Sequence, residues 1–333
     1  MSNIRNYNID IAKTLAMVLV VMQHAWSMLD LDNPTLGLLC SAYRAIVTVG
    51  VPLFVFLSGA LLLSRPIIRI KDFYKKRLVR LLIPFIILGL IVYLISLLSG
   101  TYTWWDGTWG MAINKYIPCL LNNEINIFHW YVHMLLVLYL LTPFLQRIVQ
   151  TISVREYEFL LLGWALVMLL RQYQPQMYII SFISPLIKYL GVYLAGNYVA
   201  QYRTNKAKYL YSAIILSLII YTINTLTDCS IQIGVPLMAI ALGTLCLNIP
   251  KEQITSLKGT SIFVNISRYS YTIYLLHIIL IRVIYNLTSM HYTSDWISVI
   301  PIFVTIIVMT IFYAGCWVYD KIKWLPNSLI GIG

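Results

Sequence analysis

The chain reads as an all-α polytopic membrane protein of about ten transmembrane helices with both termini cytoplasmic, forming one integral-membrane domain over residues 1–333. Three observations predict this. Hydrophobic residues make up 60% of the chain and charged residues 11%, whereas a soluble domain carries roughly a quarter charged residues; mean hydropathy is +0.79. The apolar segments run about 17 to 22 residues without alternation, which suits helices crossing about 30 Å of hydrocarbon and not barrel strands. Basic residues also gather in every second loop.

The spans follow in order. The first, 9–29, is preceded by Arg5, and the second, 42–64, is followed by Arg65, Arg69, Lys71, Lys75, Lys76, Arg77 and Arg80 around the start of the third, 79–99. Spans four and five (127–146, 157–172) flank Arg147 and Arg155, and spans six and seven (182–201, 209–226) flank Arg203, Lys206 and Lys208. Lys251, Lys258 and Arg268 lie between spans eight and nine (232–248, 269–288), and Lys321 and Lys323 follow span ten (296–318). The alternate loops hold Asp30, Asp32, Asp106, Glu124, Asp228 and Asp295, with Lys115 the main basic exception. Cytoplasmic loops carry the excess of Lys and Arg, so the net charge of +12 is a topology signal. The expected partner is the lipid bilayer, not nucleic acid. The 25 tyrosines and 9 tryptophans fit aromatic belts at the two interfaces.

The first apolar stretch lacks a small-residue cleavage site, so no cleavable signal peptide is expected. Pro52, Pro84, Pro185, Pro236 and Pro301 interrupt spans, which is compatible with a cavity. The longest outer loop, 100–126, carries Trp104, Trp105 and Trp109, suited to interfacial anchoring or to covering an outward pocket. Cys40, Cys119 and Cys229 fall on the outer side; their odd number predicts no firm disulfide.

Several ionisable residues sit inside apolar runs, where they are expensive and mark functional sites by default. The first span holds Asp10, Lys13 and His24. Eleven steps of 100° return Lys13 and His24 to within about 20° of one face, about 16 Å apart along the axis. A cation near one surface and an imidazole deeper down suit a long anionic ligand reacting at its far end. Asp10, one turn before Lys13, can pair with it or orient it. Arg77 and Arg80 are also one turn apart and form a fork for phosphate, although a basic cluster at a membrane surface also satisfies topology and anionic lipid. His129 and His133 lie at i,i+4 beside Trp130. No carboxylate follows them at ligand spacing, so hydrogen bonding is expected there and a metal is not. His277 lies within span nine and should face the bundle. Neither a P-loop nor a nucleophile elbow occurs, which leaves nucleotide-driven transport and serine hydrolysis without support.

These residues together resemble the membrane-bound acyltransferase-3 family. The resemblance rests on the basic residue and His24 of span one, Val51-Pro-Leu-Phe-Val-Phe-Leu-Ser58-Gly59 in span two, and Arg77-Leu-Val-Arg80 with Pro84 after it. It continues through His129-Trp130 with Tyr139 to Pro143, Tyr189 to Gly196, and Ser270 to His277, covering essentially the whole chain. Family members usually have Arg where this chain has Lys13, which leaves a point cation there in place of a fork. The resemblance implies a stand-alone O-acyltransferase of the bacterial cytoplasmic membrane. It implies acyl-CoA, most often acetyl-CoA, as donor, and an envelope glycan or lipid-linked sugar as acceptor. Arg77, Arg80 and Lys13 would bind the donor, while His129, Trp130, His133 and His277 would serve the acceptor. His24, with Lys13 and Asp10, would catalyse, either as general base or through an acyl-histidine. The sequence names no oxyanion donor, though Ser58, Tyr274 or His277 could contribute. A transporter or flippase for a sugar, polyol or amino acid is the alternative, with a non-catalytic scaffold as a third reading.

Overall fold

A computed structural model describes residues 6–28, 43–125, 129–170, 178–202, 207–227, 233–250, 260–288 and 299–322. No strand occurs among the described residues. Eleven longer helices follow one another: α1 (Tyr7–Ser27), α2 (Gly50–Leu62), α3 (Ile70–Leu98), α4 (Trp109–Leu121), α5 (Trp130–Thr151), α6 (Val154–Leu170), α7 (Tyr178–Tyr202), α8 (Ala207–Thr227), α9 (Gly234–Leu247), α10 (Thr260–Thr288) and α11 (Ile300–Lys321). Each of the ten expected spans overlaps one of these helices. Among the described residues, six helical segments are long and apolar enough to cross a membrane: Tyr7–Ser27, Tyr43–Leu62 (which includes α2), Ile70–Leu98, Trp130–Thr151, Thr260–Thr288 and Ile300–Lys321.

The expected pattern changes in three places. Helix α3 starts at Ile70, about two and a half turns ahead of the expected 79–99, because the run of basic side chains extends the helix beyond the apolar segment. Arg77 and Arg80 are therefore helical and share a face. Helix α10 likewise starts at Thr260, ahead of 269–288, so Ser267 and Arg268 lie on its first turns. The third change is α4, which forms inside the expected outer loop and packs along α3. Tyr93 donates to the Ala112 carbonyl at 2.9 Å, and Tyr116 donates to the Ile86 carbonyl. The ammonium of Lys115 lies 5.8 Å from the centre of the Trp104 ring. Cys119 is a free, buried thiol that donates to Glu124 at 3.2 Å; Cys40 and Cys229 lie outside the described residues.

Helix α1 is the central element and packs against α2, α9, α10 and α11. Its Ala12, Ala16, Met17, Val20, Val21 and Ala25 are completely buried. Small residues let helices approach closely in a membrane, where packing replaces the hydrophobic drive. The closest approach is between α2 and α7. A Cβ on Gly59 would overlap the Tyr193 carbonyl, and one on Gly196 would overlap the Phe56 carbonyl. Helices α1 and α10 run side by side in the same direction: Asp10 meets Ser267 near their starts, and Tyr285 donates to the Ala25 carbonyl at 2.9 Å near their ends. This pairing sets the two polar regions of the molecule at opposite ends of one helix pair.

Candidate active site

The first polar region is a cavity of about 720 Å³ at the end of the bundle where the basic residues gather. This lies within the usual range for small-molecule sites. Helix α1 contributes Asp10 and Lys13, α3 contributes Arg77 and Arg80, and α10 contributes Ser267, Arg268, Ser270 and Tyr271. Helices α2 and α5 supply Ser58 and Tyr139, and the connector between α2 and α3 supplies Arg65. The described lining thus holds five cations and one carboxylate. Asp10 is buried and accepts from the Ser267 hydroxyl at 2.7 Å. Arg268 pairs with Asp320 at 3.2 Å. Arg77 lies within electrostatic reach of Arg80, Arg65, Tyr139 and Tyr193. Among the described residues, Arg65, Arg77 and Arg80 have no carboxylate at ion-pair distance. Three guanidiniums held near one another with no carboxylate at ion-pair distance repel one another, an arrangement that a bound anion would relieve.

Away from the basic end the cavity wall becomes apolar and aromatic, with Phe54, Leu135, Tyr131 and Tyr274. The rings of Tyr131 and Tyr274 are 5.0 Å apart, and Tyr274 lies 5.9 Å from His277. Behind this pair is the second polar region. His277 is completely buried, and its ring centre is 5.1 Å from that of His24. His129 interacts electrostatically with both His277 and His133. The Phe85 ring lies 5.2 Å from His129 and 5.6 Å from His133. Four of the chain's five histidines therefore form one group, built from α1, α10, the N-cap of α5 and its first turn.

The protonation of His277 follows from its contacts. Its Nδ1 meets the Tyr274 carbonyl at 2.7 Å and the Ile273 carbonyl at 3.1 Å. Carbonyl oxygens only accept, so Nδ1 carries a hydrogen, and in the neutral ring this leaves a lone pair at Nε2. That Nε2, and both ring nitrogens of His129 and His133, are buried without a hydrogen-bond partner among the described residues. A neutral His277 therefore accepts a hydrogen bond and does not supply an oxyanion donor. Ser58 donates to the Phe54 carbonyl at 2.9 Å, so its hydrogen is committed to its own helix as the structure stands.

The cavity joins Asp10, Lys13, Arg77 and Arg80, whereas His24, His129, His133 and His277 group beyond it. Trp130 borders the second group and stacks on Tyr189 at 5.6 Å. Lys13 and His24 thus belong to different compartments of the same helix face. Among the described residues, no three or more His, Cys, Asp or Glu side chains could hold a metal ion. Sequence reasoning did not single out Arg65 or Arg268 as site residues. Arg65 lies off any helix and has no periodic signal, and Arg268 becomes a wall residue only because α10 extends past its apolar core.

A family model described as an acyltransferase domain matches residues 6–320. No curated protein and no solved structure shows significant similarity to the chain.

Proposed function

Because the chain belongs to the acyltransferase-3 family, as a multi-pass membrane acyltransferase, we propose that it moves an acyl group, most often acetyl, from cytoplasmic acyl-CoA to a hydroxyl of an envelope glycan or lipid-linked sugar. The reading puts the cationic cavity on the cytoplasmic side of a bacterial inner membrane, crossed ten times with both termini inside. The observation that carries it is the cavity, with its uncompensated arginines at one end and its aromatic end backing onto the histidine group.

The phosphates of the donor would sit on Arg77 and Arg80 with Lys13 assisting, since guanidinium pairs bind phosphate bidentately. The pantetheine arm would run past Phe54 and Leu135 toward Tyr131 and Tyr274. Those two rings are in contact, and rotation of one of them would open the way for the thioester to His24. The acceptor would reach His24 from the other side, by way of His129, Trp130 and His133. His24 would take the hydroxyl proton as the oxygen attacks the thioester carbon. The carbon–sulfur bond then breaks, and the thiolate of CoA takes that proton back from the His24 imidazolium. His277, with its Nε2 lone pair, would accept a hydrogen bond from the charged ring or from the acceptor.

The test is calorimetric titration of acetyl-CoA into the detergent-solubilised protein, wild type against the Arg77→Ala/Arg80→Ala double variant. Saturable binding that the double variant loses is the expected result. A folded wild type that binds no acetyl-CoA would turn the reading back to transport.

A further inference from the structure

The cavity contains a cation, Arg65, that belongs to the basic loop the topology requires, but whose place in the cavity lining neither the topology nor the family match requires. Arg65 is exposed at the mouth, on the connector between α2 and α3, whereas Arg77 and Arg80 lie half-buried behind it. It stands within electrostatic reach of Arg77 and has no carboxylate at ion-pair distance among the described residues.

The backbone around Arg65 is fastened by two buried amides from other helices. Gln146 of α5 is 4% exposed. Its Nε2 donates to the Arg65 carbonyl, and its Oε1 accepts from the Ile67 amide at 3.0 Å. Asn197 of α7, completely buried, donates to the Ser64 hydroxyl at 3.0 Å. A free topogenic arginine needs no such fastening, because its side chain can reach water or lipid phosphate from a mobile loop. Here the connector is fixed on both sides of Arg65 and holds its charge toward two like charges. That arrangement becomes favourable once a ligand brings several negative charges into the mouth.

We propose that Arg65, positioned by Gln146, binds the 3′-phosphate of the nucleotide end of the donor, so that the cavity distinguishes full CoA thioesters from donors lacking that group. The proposal rests on the reading of the cavity as an acyl-CoA site. A CoA thioester carries its phosphates in two places. The diphosphate is nearer the reactive end, and the 3′-phosphate on the ribose is farther away. A donor entering arm first leaves its farthest charge at the mouth. The exposures match this, with Arg65 exposed and Arg77 and Arg80 half-buried in the same lining.

The experiment compares the affinities of the full-length, solubilised protein for CoA and for 3′-dephospho-CoA. The wild type is expected to prefer CoA by about tenfold or more, the size of one charge-assisted contact. Arg65→Gln should bring the ratio near one, mainly by weakening CoA, and Arg65→Lys should retain part of the preference. Gln146→Leu keeps the Arg65 charge but frees its backbone, and should also reduce the ratio; a purely structural role for Gln146 would weaken both ligands equally. An undiminished ratio in Arg65→Gln, a protein that elutes and melts like wild type, overturns the proposal. A wild type that binds CoA and dephospho-CoA equally also overturns it and leaves the donor reading standing. Loss of all binding in the wild type would remove the donor reading itself.

Discussion

The cationic cavity and the histidine group share helices α1 and α10, yet they treat polarity in opposite ways. The cavity keeps permanent charges at an open mouth, where water lowers the repulsion between them. The histidine group keeps titratable side chains packed against Phe85 and Tyr274, with His24, His129 and His277 buried. A site for a preformed polyanion must be charged before the ligand arrives, and can be so only where solvent reaches it. A site for proton transfer works with a neutral imidazole that has a free lone pair, and burial favours the neutral form. On the proposed function, the difference separates recognition from chemistry along one helix pair, so substitutions in the two regions should change different kinetic constants.

The largest effect is expected at His24. His24→Ala should lower kcat by about 10²- to 10⁴-fold, the usual contribution of a general base, with the affinity for acetyl-CoA within about threefold of wild type. Single-turnover acetyl transfer together with calorimetry checks both numbers. Full turnover would remove His24 from the chemistry, and a parallel loss of donor affinity would break the separation of the two regions. Next is the pair in the cavity. Arg77→Ala and Arg80→Ala should each raise the donor KM about tenfold or more, at roughly 1.5–3 kcal/mol per charged hydrogen bond, with kcat at saturating donor little changed. Steady-state kinetics with varied acetyl-CoA would show this, and a fall in kcat alone would contradict it.

Salt should separate the regions without mutation. The Debye length shortens from about 10 Å at 0.1 M to about 3 Å at 1 M. The donor KM should therefore rise several-fold over that range, because the mouth of the cavity is solvated. The single-turnover rate of the preformed donor complex should move less than twofold, because the histidine group is enclosed. Equal salt sensitivity of both constants would place the chemical step in the solvated compartment.

Much of this arrangement was legible in the chain. Helix positions followed from apolar length, and the ionisable residues of α1 drew notice because charges inside an apolar run are rare. The i,i+3 spacing of Arg77 and Arg80 could be read before their helix was seen. The convergence of four histidines from three chain segments could not be read, because no local period links His24, His129 and His277. Nor could α4, whose thirteen residues are too few for a span and fall within what reads as a long loop. The roles of Gln146 and Asn197 were also hidden, since a single amide in an apolar helix reveals nothing of the distant backbone it holds.

The smallest effect should come from the one cavity arginine that has a carboxylate partner. Arg268 pairs with Asp320 across α10 and α11, with both side chains about a third exposed. A partly exposed pair of this kind contributes about 0–1 kcal/mol to stability. Asp320→Asn should therefore leave the melting temperature nearly unchanged and free Arg268 to turn toward the cavity, where the lining already carries four other cations. If the cavity is a polyanion site, the freed guanidinium should tighten acetyl-CoA binding by up to about twofold, with a slightly steeper dependence on salt. The sign of this change is the informative part. Weaker binding would mean that Asp320 holds Arg268 in its ligand-binding orientation, so that in this cavity a carboxylate pair positions a cation and does not compete for it.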